Sequence, residues 1–189
     1  MSNISTSGSL LPAPLPVLTP AGNLDLNWFK TYFRPHFEKW IFGPIDRLVV
    51  SDDALIGFIF MSCTIDYVAG FMCGGQTHRT DYIDFIKNYF PHGRYDARGI
   101  YDSLRCGLVH MFTIKGRKYC LTHNYPAGHL KSTWDGQIVL EAGSFRDDLR
   151  DAVHRYFDMV EVDPVFSQKF VDRYNDFGFL DLNRIAIRW

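Results

Sequence analysis

Apolar positions recur at helical spacing along most of this chain. Between residues 25 and 42, Trp28, Phe29, Tyr32, Phe33, Phe37, Trp40 and Ile41 follow the three-and-four spacing of one helix, with a kink predicted at Pro35 and a stop at Gly43-Pro44. Ser51, Asp52 and Asp53 supply a cap and first-turn acids for a second helix, about Ala54 to Cys73, ended by Gly74-Gly75. This one is apolar all round, as the central member of a bundle is. Thr80 caps a third helix, 81–90, stopped by Pro91, and a fourth runs from about Ala97 through His110. Ser144 caps a fifth, about 145–160, and Asp163-Pro164 opens a sixth that ends before Gly178.

Between the fourth and fifth helices the period shortens. Met111–Thr113, Tyr119–Thr122 and Ile138–Leu140 read as strands, with Lys115-Gly116-Arg117 as a tight turn between the first two and a longer loop at 124–136. Residues 185–189 read as a last strand or an extended tail. The expected fold is therefore mainly α: a bundle of about five or six helices with a small β-hairpin insertion, at about 111–141, after the fourth. Residues 1–23 form a Pro/Ser-rich extended arm, and 24–189 a single domain.

Composition narrows the setting. Of 189 residues, 47% are hydrophobic and 16% aromatic, which excludes disorder for the body of the chain. Cys63, Cys73, Cys106 and Cys120 are scattered through apolar stretches, and the opening arm, broken by Pro12, Pro14, Pro16 and Pro20, lacks the form of a secretory signal. Reduced thiols in a cytoplasmic protein are expected. The second helix is long enough to span a bilayer, but Asp66 within it, and its dilution by Gly57, Ser62, Thr64 and Gly70, favour a core helix; no membrane association is expected. Net charge is −1, yet residues 79–131 hold nine basic side chains against four acids, whereas 132–189 hold seven against eleven. The positive half surrounds the one chemically pointed stretch.

That stretch is Tyr101-Asp-Ser-Leu-Arg105-Cys-Gly-Leu-Val-His110. Arg supplies a permanent charge with forked donors matched to phosphate oxygens, and His exchanges a proton near neutral pH. Together they are a minimal set for metal-free RNA cleavage. On an ideal α-helix, however, five residues separate the two by about 140° around the axis and ~7.5 Å along it. Convergence requires a distortion near Gly107 or a helix that ends near His110.

The stretch resembles the HEPN superfamily, whose signature is Arg-x4-6-His near the end of a bundle helix; Leu-Arg-Cys-Gly-Leu-Val-His is also similar to a group of bacterial proteins that share it. The resemblance covers about 51–113. It implies a bundle of four or five helices and a metal-independent endoribonuclease working as a homodimer, with Arg105 and His110 as the catalytic pair, Tyr101 at an aromatic position one turn earlier, and no cofactor. Many active members carry a polar residue, commonly Asn, after the Arg, where this chain has Cys106. Lys115, Arg117 and Lys118, just beyond His110, are candidates for contacting an RNA backbone.

Two other readings stay open. Asp66, the only carboxylate in the apolar second helix, needs a cationic partner if buried, and Arg105 is the obvious one. In that case the chain is a catalytically silent binding or dimerisation module with a structural Asp66–Arg105 pair. Alternatively, Cys106, His110, Cys120 and His123 would hold zinc in an interaction domain, although residues 120 and 123 point to opposite sides of a regular strand.

Overall fold

Residues 18–19 and 22–178 are described in the computed structural model. Most of the N-terminal arm and the tail at 185–189 lie outside the described residues. Helix α1 (residues 26–49) begins at Asp25, whose carboxylate accepts the Asn27 and Trp28 N–H groups. Neither proline stops it. Phe29–Phe33 and Glu38–Phe42 are wide π-helical segments, each ending two residues before a proline, and Gly43 keeps helical backbone angles (φ −57°, ψ −45°). A proline has no N–H and its ring crowds the carbonyl four residues back. A wider turn just before it loosens that carbonyl, so the helix carries on through Gly43–Val49.

Helix α2 (Ala54–Cys73) is central, packing against α1 and against the helices at 79–89, 97–111, 142–162 and 164–177. It is long and apolar enough to cross a membrane, and 56% of that stretch is buried by these neighbours. Gly74, at φ 82°, turns the chain out of it. Helix α3 (Arg79–Tyr89) starts two residues earlier than Thr80 would place it, because His78 and Asp81 cap each other reciprocally. Helix α4 occupies residues 97–111. Helix α5 (Ala142–Val162) is capped by Glu141 rather than Ser144, whose backbone N–H and hydroxyl both donate to the Glu141 carboxylate. Helix α6 (Pro164–Phe177) is capped by Asp163 and ends at Gly178.

The aromatic content goes into the joint between α1, α2, α5 and α6. Phe29, Phe33, Phe37, Phe71, Phe157 and Phe170 are all buried. Phe33 meets Phe170 edge-on at 4.8 Å, Phe37 meets Phe157 at 5.1 Å, and Phe71 stacks on Phe170 at 4.7 Å. Such pairs add ~0.5–1.5 kcal/mol each beyond area burial.

The insertion after α4 lies where expected, but its pairing differs. Strands β1 (Tyr119–Thr122) and β2 (Ile138–Glu141) are parallel, in register from Tyr119↔Ile138 to Thr122↔Glu141, and do not form a hairpin. The third expected strand, 111–113, is absent: Met111 completes α4 and Phe112 turns left-handed (φ 51°). The segment between β1 and β2 is long enough for a crossover, which parallel pairing needs and a hairpin turn does not supply. The antiparallel component is a single bridge, Ser132↔Ile138, closed by the Thr133 N–H to Gln137 carbonyl bond of 2.7 Å.

His129 ties this insertion to the bundle. Its Nδ1 accepts the Glu141 backbone N–H (3.1 Å), so Nε2 carries the ring proton and donates to Tyr95 Oη (2.8 Å), which donates to Asp148 Oδ2 (2.6 Å). The ring is 5% exposed. Burial depresses its pKa, outweighing the opposing pull of Asp148 and Glu141, while Arg94 adds to the depression. The unfolded imidazole takes a proton near its ordinary 6.5 while the folded one stays neutral to lower pH. Stability present above that value is therefore lost as pH falls below it toward the folded value. Urea denaturation between pH 7.5 and 5 is expected to show this decline in the parent and a flatter profile in His129→Gln. Equal slopes would mean that the ring does not anchor the insertion.

Candidate active site

The site arises from an irregularity in α4. Asp96 caps the helix by accepting the Gly99 N–H and also pairs with Lys118, which holds its carboxyl below the usual range. From Tyr101 to Leu108 the helix then widens to π geometry. A π-helix bonds each residue to the one five along, so side chains at that spacing come into line instead of diverging. Arg105 and His110 are five apart.

Arg105 consequently faces two partners. Its Nη1 donates to His110 Nε2 at 2.7 Å and its Nη2 to Asp66 Oδ2 at 3.1 Å. A guanidinium only donates, so His110 Nε2 must offer its lone pair and the ring must be neutral, with hydrogen on Nδ1. The expected Asp66–Arg105 pair is therefore present but not sealed away: the two side chains are 31% and 24% exposed, and His110 is exposed. Partial burial works against the Arg105 charge, but the Asp66 charge and hydrogen bond prevail and raise its pKa.

Around this chain of three lie Tyr101 and Cys106, expected from the sequence, and Cys63, Ser62, Tyr82 and Arg79, which the sequence did not connect with it. Cys63, one turn before Asp66 on α2, is exposed at one edge. Its helix surroundings desolvate the thiol and raise its pKa, against the pull of Arg105. Beneath, Tyr82 and Ser62 share a buried hydrogen bond of 3.1 Å. Tyr101 packs edge-on to Tyr82 at 5.2 Å, with the Arg79 guanidinium 5.3 Å above its ring. Burial raises the Tyr101 pKa, as does its neighbour Cys106. Cys63 was legible only as one of four scattered thiols, because its relation to Arg105 is tertiary.

The other face of α4 is set by Gly107. A Cβ there would stand 2.6 Å from the Thr113 carbonyl oxygen and 2.8 Å from the Lys115 nitrogen. Its absence lets residues 113–115 fold back along the helix, where the Ser103 hydroxyl donates to the Lys115 carbonyl at 3.1 Å. This sharp return puts Phe112 in a left-handed conformation that costs a non-glycine residue ~1–2 kcal/mol. Of the three candidate RNA-contacting residues, Lys118 is engaged by Asp96, whereas Lys115 and Arg117 are exposed.

No protein-family model, curated protein or solved structure matches this chain. The site must be read from its own chemistry. Among the described residues no group of three His, Cys, Asp or Glu side chains is placed to hold a metal ion, so Cys106, His110, Cys120 and His123 are not brought together as a zinc site. What the fold does assemble is an exposed neutral imidazole in contact with a clamped guanidinium, beside a thiol and above a buried tyrosine.

The close approach at Gly107 supports a direct test. Gly107→Ala is expected to push residues 113–115 off the helix, to cost about 1–3 kcal/mol in urea denaturation, and to disturb the turn that follows His110. A variant as stable as the parent would mean that the loop does not rest on this glycine.

Proposed function

We propose that this chain is a HEPN-like, metal-independent endoribonuclease, cytoplasmic and homodimeric, in which Arg105 and His110 act on an RNA phosphodiester. The observation that carries the reading is the 2.7 Å contact between Arg105 Nη1 and the lone pair of an exposed His110 Nε2. An incoming phosphate competes for the guanidinium, and as Arg105 turns its fork to the phosphate oxygens, Nε2 is freed as a base. His110 then takes the 2′-hydroxyl proton, the 2′ oxygen attacks phosphorus, and the bond to the 5′ oxygen breaks. The products are a 2′,3′-cyclic phosphate and a 5′-hydroxyl, the latter protonated by water or by a second imidazole. Arg105 stabilises the charge that builds on the phosphoryl oxygens. Asp66 keeps the guanidinium pointed at the site when no substrate is bound.

Incubation with a mixed RNA pool tests this. The parent is expected to cleave with EDTA present, His110→Ala to lose about 10²–10⁴-fold, and Arg105→Ala about 10²–10³-fold. Equal cleavage by parent and His110→Ala, or none by folded parent across varied RNAs, would overturn the proposal. The Asp66–Arg105 ion pair favours one other reading, a silent binding or dimerisation module in which Arg105 is structural. On that reading Arg105→Ala destabilises the fold and no RNA is cut.

The homodimer has its own support. Leu55, Ile56 and Phe60 are about half exposed on α2, and Ile56, Phe60 and Cys63 follow one helix face toward Asp66. Sedimentation velocity is expected to give a dimer for the parent and a monomer for Phe60→Glu. A monomeric parent would remove this element of the proposal.

A further inference from the structure

From Ser103 to Trp134 the chain contains no Asp or Glu, while it holds Arg105, Lys115, Arg117, Lys118 and Lys131. The same stretch carries three aromatic rings that the fold leaves outside: Trp134 is 98% exposed, Phe112 75% and Tyr125 55%. Most aromatics of the bundle are used for packing, as in the α1, α2, α5 and α6 joint; outside the insertion Phe60, Phe177 and Trp40 are exposed, at 45%, 55% and 37%, and Trp134 and Phe112 exceed all three.

The backbone that carries these rings is hydrogen-bonded or closely packed. Trp134 sits at the tip of a turn in which Thr133 N–H donates to the Gln137 carbonyl (2.7 Å), Gly136 N–H to the Thr133 carbonyl (3.1 Å) and Gln137 N–H to Thr133 Oγ1 (2.9 Å). Asp135, the next acid in the chain, is used within that turn, accepting from the Thr133 hydroxyl and the Gln137 amide. Phe112 caps α4 through its N–H to the Leu108 carbonyl (3.0 Å) in a left-handed conformation where glycine is the usual residue. Both exposure and conformation argue for a glycine at 112, yet a large ring stands there, two residues after His110. Tyr125 packs against Gly128, where a Cβ would lie 2.0 Å from its ring. Lys115 and Arg117 are exposed and carry no ion pair among the described residues.

We infer that the insertion at 112–137 is a binding arm for single-stranded RNA, with Trp134, Phe112 and Tyr125 stacking unpaired bases and Lys115, Arg117 and Lys131 attracting the backbone. Exposed rings interleaved with cations, with Asp135 the one acid of the segment and already engaged within its own turn, match the flat faces and negative linkers of an unpaired strand. A duplex hides those faces. The stacking surface does not depend on the cleavage reaction; the choice of RNA over DNA rests on the function proposed above.

Binding by the His110→Ala protein, measured by fluorescence anisotropy, separates the arm from the chemistry. The probe is a labelled mixed-sequence oligoribonucleotide, compared with the same strand in duplex and with the matching DNA strand. Tighter binding of the single RNA strand is expected, weakened roughly five- to a hundred-fold by Trp134→Ala or Phe112→Ala and largely retained by Trp134→Phe. Lys115→Ala with Arg117→Ala is expected to flatten the dependence of log affinity on log salt by ~0.7 per lost phosphate contact. Duplex binding equal to the single strand, or aromatic variants that bind like the parent, would overturn the inference. Variants that bind RNA normally but change the sedimentation coefficient would identify the rings as a protein interface and also overturn it. DNA binding as tight as RNA binding would overturn the RNA assignment. RNA binding intact in His110→Ala, with no cleavage by the parent, would instead sink the nuclease proposal and leave the arm standing.

Discussion

Arg105 is held from two sides, by a carboxylate on a neighbouring helix and by an imidazole five residues further along its own. Much of the candidate site depends on that double contact, and the contact depends on the wide turn of α4 between Tyr101 and Leu108. Regular α geometry would swing His110 away from Arg105. Long π runs are uncommon, so this one needs support. Asp96 supplies it at the start by capping the helix, Asp66 in the middle by fixing the guanidinium, and the chain folded against Gly107 near the end.

The same helix that centres the core also builds the site. Inward, α2 presents Phe58, Met61, Ile65 and Val68 to the bundle. Toward its surface it carries Cys63 and Asp66, with Ser62 and Tyr82 hydrogen-bonded just below. The carboxylate that looks costly in an apolar helix is thus placed at its partly exposed edge, where a cation meets it and some water remains. An ion pair in that position is cheap to keep and able to exchange, unlike one in a dry interior.

How much of this was legible in the sequence varies with the range of the forces involved. Helical periodicity identified six helices, because that signal is contained within a few residues, whereas the caps were less legible: His78 and Glu141 take the places expected for Thr80 and Ser144, and no Asp53 side-chain bond caps α2. The stop expected at Gly43-Pro44 does not occur: a proline normally ends a helix, and nothing local announces that a π turn will accommodate it. Strand-like residues at Tyr119 and Ile138 were visible, but their parallel pairing depends on a crossover loop rather than on the strands. At the site, Arg105 and His110 were recognisable by type and spacing, and Asp66 by its isolation in an apolar segment. Their convergence was not, since an ideal helix argues against it. The proximity of Cys63 is purely tertiary and left no trace in the pattern.

The most direct test of the central contact is the protonation pattern of the His110 ring, read by two-bond nitrogen–proton NMR correlation at a pH where histidine is neutral. The account predicts hydrogen on Nδ1 and a bare Nε2, the less common tautomer, reverting to hydrogen on Nε2 when Arg105 is replaced by alanine. Hydrogen on Nε2 in the parent would show that Arg105 does not donate to it, and would contradict the geometry on which the site rests.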